Sequence, residues 1–182
     1  MSILKVFEES MEGRSRGWRS LLLLWSAWIA YHVFIDQNPS ITRNPFFFFD
    51  HGIHEIGHWV TRPFGMWVSV ASGTIFQVLF PFVPIIALLR QNDIHGAFFL
   101  LTWVSSCLLN VAFYAGSAAY SDLLLWTPHR LTIYHDWVWM LSQLQALHWA
   151  PAIKNFFYAL SVIALCTSIA GQILLLCLKK SD

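Results

Sequence analysis

No Asp, Glu, Lys or Arg stands between Arg62 and Arg90, nor anywhere in residues 96–121. Hydrocarbon offers no water to backbone N–H and C=O groups, so uncharged apolar runs of this length cross a bilayer as helices, for which about 20 residues suffice. Two further segments follow the same logic. Residues 20–35 are apolar after Ser20 except for Ser26 and His32, with Trp18 and Tyr31 as interfacial anchors, and a last apolar run lies between Lys154 and Lys179. Over the whole chain 57% of residues are apolar and 12% charged, against about 25% charged in soluble domains. The expected fold is all-α: a polytopic membrane helix bundle formed by residues 1–182 as one integral membrane domain. It has about four spanning helices, a re-entrant or short helix between the first two of them, and an interfacial helix. Eleven Lys and Arg against ten Asp and Glu give no basic surface for nucleic acid.

Residues 1–19 read as a solvated cytoplasmic tail, with a short helix along the membrane surface as the alternative. Residues 20–35 read as an uncleaved anchor, since no A-x-A-like site follows them. Cys107, Cys166 and Cys177 lie in apolar segments at spacings unlike C-x-x-C, and are expected to be packing residues.

The chemistry is concentrated after the first span. Asn44-Pro45 is a helix start, with Asn as N-cap and Pro at the first helical position, and Arg62-Pro63 is a stop. A helix over residues 45–61 would be about 25 Å long, enough to enter the bilayer and marginal for crossing it. It carries His54-Glu55-x-x-His58. Residues four apart share a helix face, so two imidazoles point at a common metal while Glu55 can hold a water and take its proton. His51, His54, Glu55 and His58 occupy i, i+3, i+4 and i+7, a polar stripe that is costly in lipid unless it faces protein, water or metal. The alternative is histidines held in the core or interface by backbone partners. His51 could cap such a site, and Asp50, one turn before His54, could orient that ligand through its free ring nitrogen.

A catalytic Zn2+ takes three protein ligands and keeps one position open. The candidates for the third are Asp122, His129, His135, Asp136 and His148. Asp136 is an N-cap for a helix expected over residues 136–147, which leaves His135 as the better ligand. Asp122 and His148 read more simply as interface polar groups. Ser72-Gly73-Thr74 allows close backbone approach, and Pro81 and Pro84 should kink their helix. Gln77 could hold a substrate backbone or make a helix–helix hydrogen bond. With the His54–His58 helix re-entrant, Lys5, Arg14, Arg16, Arg19, Arg90, Lys179 and Lys180 fall on one side and Arg43, Arg62, Arg130 and Lys154 on the other. The positive-inside rule then puts both termini in the cytoplasm. The histidine motif and residues 122–150 share the outer side.

Taken together, His54-Glu55-Ile56-Gly57-His58, the run Ser72-Gly73-Thr74-Ile75-Phe76-Gln77-Val78-Leu79-Phe80-Pro81, Tyr120-Ser121-Asp122 and His135-Asp136-Trp137 resemble a group of bacterial membrane proteins classed as zinc metallopeptidases. That group is distantly similar to the site-2 protease class. The resemblance covers residues 45–150, though the chain lacks an N-P-D-G or L-D-G element. It implies that His135 completes the metal site, that Gln77 and Asp122 lie near it, and that the protein sits in a bacterial inner membrane. The expected function is then a membrane-embedded zinc metallopeptidase. His54, His58 and His135 bind Zn2+, Glu55 is the base, and the partners are the lipid bilayer and a peptide or membrane-protein substrate. Two other readings are kept. One is a di-iron membrane oxidase of the desaturase or hydroxylase kind, although no H-x-x-H-H box is present and His32 and His95 are remote from the other histidines. The other is a non-catalytic membrane scaffold whose metal is structural or absent.

Overall fold

A computed structural model describes residues 3–35, 44–119 and 135–178; Asp122, His129 and the charges Arg43, Arg130, Lys179 and Lys180 lie outside these. The elements run α1 (Ile3–Met11), α2 (Arg16–Ala30) continued by a π-helical turn (Tyr31–Ile35), α3 (Phe46–Thr61), α4 (Met66–Leu79), α5 (Phe82–Arg90), α6 (Ile94–Ser117), α7 (Asp136–Gln143) and α8 (Ala150–Cys177). The described residues contain no strand.

Three segments are long and apolar enough to cross a membrane: Met66–Arg90, Ile94–Ser117 and Leu147–Cys177. The first is α4 and α5 in succession, interrupted around Pro81, where the missing N–H and the ring end one helix and the fixed φ starts the next. The expected first span is not among them. Its α-helix has 15 residues, a rise of about 22 Å, before the winding loosens at Tyr31. Of the two readings of residues 1–19, the short helix is the one in line with the structure. Residues 3–11 fold as α1, pack on α6 and α8, and bury Ser10 and Met11.

The bundle is built on α6, which packs most extensively on α8. The two run antiparallel, and Ser105 and Ser161 each donate to the other's carbonyl, at 2.8 and 2.7 Å. Farther along the same pair of helices, Gln172 Nε2 donates to Ser26 Oγ and Ser168 Oγ at 3.0 and 3.1 Å, and Thr102 Oγ1 lies 3.0 and 2.8 Å from the same two hydroxyls. In an apolar bundle such hydroxyls and amides, not hydrophobic contrast with lipid, specify which helix faces meet.

The ends are sorted by charge. Asp93 caps α6 by accepting from the Gly96 N–H at 2.9 Å, and it pairs with Arg14 at 2.5 Å and Arg19 at 2.9 Å. Arg16 donates to Leu176 O and Leu178 O at the end of α8. Burial pushes the Asp93 carboxyl up, but the Gly96 N–H and the hydrogen bond and charge of Arg19, with Arg14 beyond, outweigh it and hold the group below its ordinary value. A carboxylate lowered on folding contributes stability that is complete above its unfolded value, about pH 4, and is lost as pH falls through the folded one. Thermal unfolding in detergent should therefore show a transition that drops on the acid side, and Asp93→Asn should start lower at neutral pH and fall less steeply.

The remaining helices set the functional site. α3 starts beside the middle of α6: Asn44 Nδ2 donates to Ser106 Oγ at 2.7 Å, while Asn44 Oδ1 takes the Phe46 N–H at 3.2 Å. Ser106 is about 18 Å along a helix about 36 Å long. From there α3 runs toward the Ser117 end, so it enters the bundle without traversing it. A 3-10 turn (Arg62–Phe64) and Gly65, at φ 98°, a region open mainly to glycine, then reverse the chain into α4.

Candidate metal centre

α3 and α4 cross at glycine. A Cβ on Gly57 would lie 2.5 Å from Ser72 O, and one on Gly73 would lie 2.6 Å from His58 Cε1 and Nε2 and 2.8 Å from His54 Cε1. The histidine rings therefore fill the space above the bare backbone of α4. Each ring is fixed by its Nδ1. His54 Nδ1 donates to Gln77 Oε1 at 3.2 Å and His58 Nδ1 to Ser69 O at 2.8 Å; Ser69 Oγ returns a hydrogen bond to His58 O at 3.0 Å. Both partners are acceptors, so both imidazoles carry the Nδ1 proton, and in the neutral form each presents Nε2 as a lone pair.

The two Nε2 atoms face each other at 3.0 Å. Asp136 Oδ2 completes a triangle, 2.9 Å from His54 Nε2 and 3.2 Å from His58 Nε2. His54 and Asp136 are 7% and 8% exposed, so water cannot easily screen this arrangement. With both imidazoles neutral, three acceptor atoms converge here, an arrangement suited to a cation. His54, His58 and Asp136 form a group that can hold a metal ion, the only such group among the described residues. Its edges are close to the roughly 3.3 Å that tetrahedral bonds of about 2.0–2.1 Å produce.

The structure exchanges the expected roles of two neighbours. His135, expected as the ligand, is the N-cap of α7, its Nδ1 accepting the Val138 N–H at 3.3 Å. Its Nε2 lies 2.8 Å from Ser117 Oγ, whose single proton goes to Tyr114 O at 2.7 Å, so Nε2–H donates. Both ring nitrogens are spoken for, and burial pulls the imidazole below its ordinary value and so keeps it neutral. Asp136, expected as the cap, instead turns its carboxylate to the histidines.

The other candidates separate likewise. Gln77 makes a helix–helix hydrogen bond, and to a metal-group histidine. Asp50 does not orient His54: its carboxylate accepts from Trp103 Nε1 at 2.6 Å and from Ser106 Oγ and Cys107 Sγ at 3.1 Å. Glu55 and His51 are exposed on the open side of α3, Glu55 adjoining His54 in sequence and close enough to act on His58 by charge. His148 is exposed in a 3-10 turn, Leu147–Trp149, apart from the group. Cys107 is buried against Asp50, whereas Cys166 and Cys177 are exposed and do not pack as expected; all three are free. Sequence reading missed Ser69, whose carbonyl fixes His58, and Tyr114 and Ser117. Backbone acceptors carry no residue signature, but Ser69 and Gly73, four apart on α4, mark the face that meets the histidines.

The described chain is thus an all-helical bundle with membrane-length helices and a two-histidine, one-carboxylate group. No family model, curated protein or solved structure matches it, so what the site does rests on its own geometry.

Proposed function

We propose that the protein is a membrane-embedded zinc metallopeptidase whose metal is held by His54, His58 and Asp136. The observation that carries this reading is the triangle of bare Nε2 and Oδ2 atoms, with an exposed carboxylate, Glu55, on the same helix. A zinc ion bound there supplies a Lewis acid that polarises a carbonyl and acidifies a water. Gln77 and Ser69 hold the imidazoles in the tautomer that leaves Nε2 free. Glu55 takes a proton from the water that attacks the peptide carbonyl carbon. As the C–N bond breaks, Glu55 returns that proton to the departing amine nitrogen. Its exposure leaves room for a substrate beside it.

The substrate class is a peptide or membrane protein within or next to the bilayer, because the site opens on a helix whose exposed residues include Ile56 and Trp59. Arg14, Arg16 and Arg19 gather at the Asp93 end, away from the metal group, and under the positive-inside rule this supports a cytoplasmic location for that end. A di-iron centre has less support: the described residues bring together one group of three ligands.

Metal analysis of purified protein tests the reading. One zinc per chain is expected, lost in His54→Ala, His58→Ala and Asp136→Ala. Glu55→Gln should keep the zinc and lose peptide cleavage by at least about a hundredfold. Iron in place of zinc would support an oxidase; no bound metal, or Asp136→Ala with full zinc, would sink the site as assigned.

A further inference from the structure

Two of the three ligand atoms share α3, and their geometry is set by helix periodicity. The third stands on the first residue of α7, eight residues long, and something outside α7 has to aim it. The last turn of α6 does this. Tyr114 Oη accepts the Asp136 N–H at 3.2 Å. The Tyr114 ring stacks on His135 with centroids 4.2 Å apart and planes at 24°, and meets the His54 ring edge-on at 5.9 Å. Ser117, three residues on and on the same helix face, holds His135 from the other side. A phenol has one proton to donate and two lone pairs. Tyr114 uses one of those lone pairs for the Asp136 N–H, which ties the first residue of α7 to the last turn of α6.

We propose that Tyr114 is the positioning residue of the metal group, its hydroxyl fixing the backbone of Asp136 so that Oδ2 faces the two imidazoles. The proposal rests on the metal reading above. A role in packing alone would reside in the ring, through the His135 stack, and would survive loss of the hydroxyl. Tyr114→Phe separates the two, since it removes the oxygen and keeps the ring.

The test is titration of the full-length, metal-stripped protein in detergent with cobalt(II), whose visible absorption reports the geometry and donors of the site. Tyr114→Phe is expected to bind cobalt about 10–100-fold more weakly than wild type and to give an altered spectrum. Ser117→Ala, which frees the far side of His135 and leaves the phenol in place, should keep the wild-type spectrum with affinity within about threefold, well inside that range. Wild-type affinity and spectrum in Tyr114→Phe overturn the proposal, even if that variant melts earlier. A loss in Ser117→Ala as large as the one expected for Tyr114→Phe also overturns it, since His135 would then be the positioning group; this holds whether or not Tyr114→Phe folds. Wild-type protein that binds no cobalt overturns the metal reading itself, and this proposal with it.

Discussion

Gly73→Ala should empty the metal site without unfolding the helix that carries the substitution. Alanine is the better helix former by about 1 kcal/mol, so α4 itself gains. Its methyl group, however, would lie 2.6 Å from two atoms of the His58 ring and 2.8 Å from the His54 ring, inside van der Waals contact. The rings have nowhere to retreat while their Nδ1 atoms stay bonded to Gln77 and Ser69. One or both must rotate, and the Nε2 atoms then no longer face Asp136. Metal content should fall below about a tenth of wild type, the loss expected when the support of a ligand is broken, with far-ultraviolet circular dichroism unchanged. Gly57→Ala makes the contrast, because its methyl would meet a backbone oxygen, Ser72 O, at 2.5 Å. The helices themselves must part, so that variant should lose about 1–3 kcal/mol of stability as well as metal. Full zinc in Gly73→Ala would mean that the rings do not need that space.

The pair His54 and His58 could be read from the sequence because helix periodicity fixes residues four apart on one face whatever surrounds them. Uncharged runs identified three membrane-length segments for a similar reason, since the cost of unsatisfied backbone in lipid acts on each segment alone. The segment expected as the first span, residues 20–35, is not among the three; it is helical up to Ile35, with a π-helical turn from Tyr31, and residues 36–43 lie outside the described ones. The choice between His135 and Asp136 was out of reach of the sequence. The capping preference of Asp over His is worth about 1 kcal/mol, and it was overridden by Ser117 and Tyr114, which capture the His135 ring from α6. Asp50 shows the same override. Helix spacing puts it one turn from His54, but a carboxylate inside an apolar bundle goes where donors are, and α6 offers three.

Those three donors make Asp50 the second site of large effect. The residue is fully buried, and its acceptors satisfy Trp103, Ser106 and Cys107 near the midpoint of α6. In Asp50→Ala the serine hydroxyl and the thiol can rotate to other acceptors, but the indole N–H of Trp103 is fixed in its ring. An unpaired buried donor costs about 1–3 kcal/mol, and the space left by the carboxylate adds to it, so unfolding in detergent with a chelator present should shift by about 2–4 kcal/mol. Asp50→Asn retains a carbonyl for Trp103 and should lose less. Equal stability of Asp50→Ala and wild type would show that α6 does not anchor α3 through this residue. The two sites should also differ in their response to metal. Asp50 lies on α3 below the ligands and leaves the triangle of Nε2 and Oδ2 atoms as it is, so zinc at a hundred times its dissociation constant restores about 2.7 kcal/mol to Asp50→Ala. Gly73→Ala has lost the triangle, and the same zinc should leave its unfolding transition where it was.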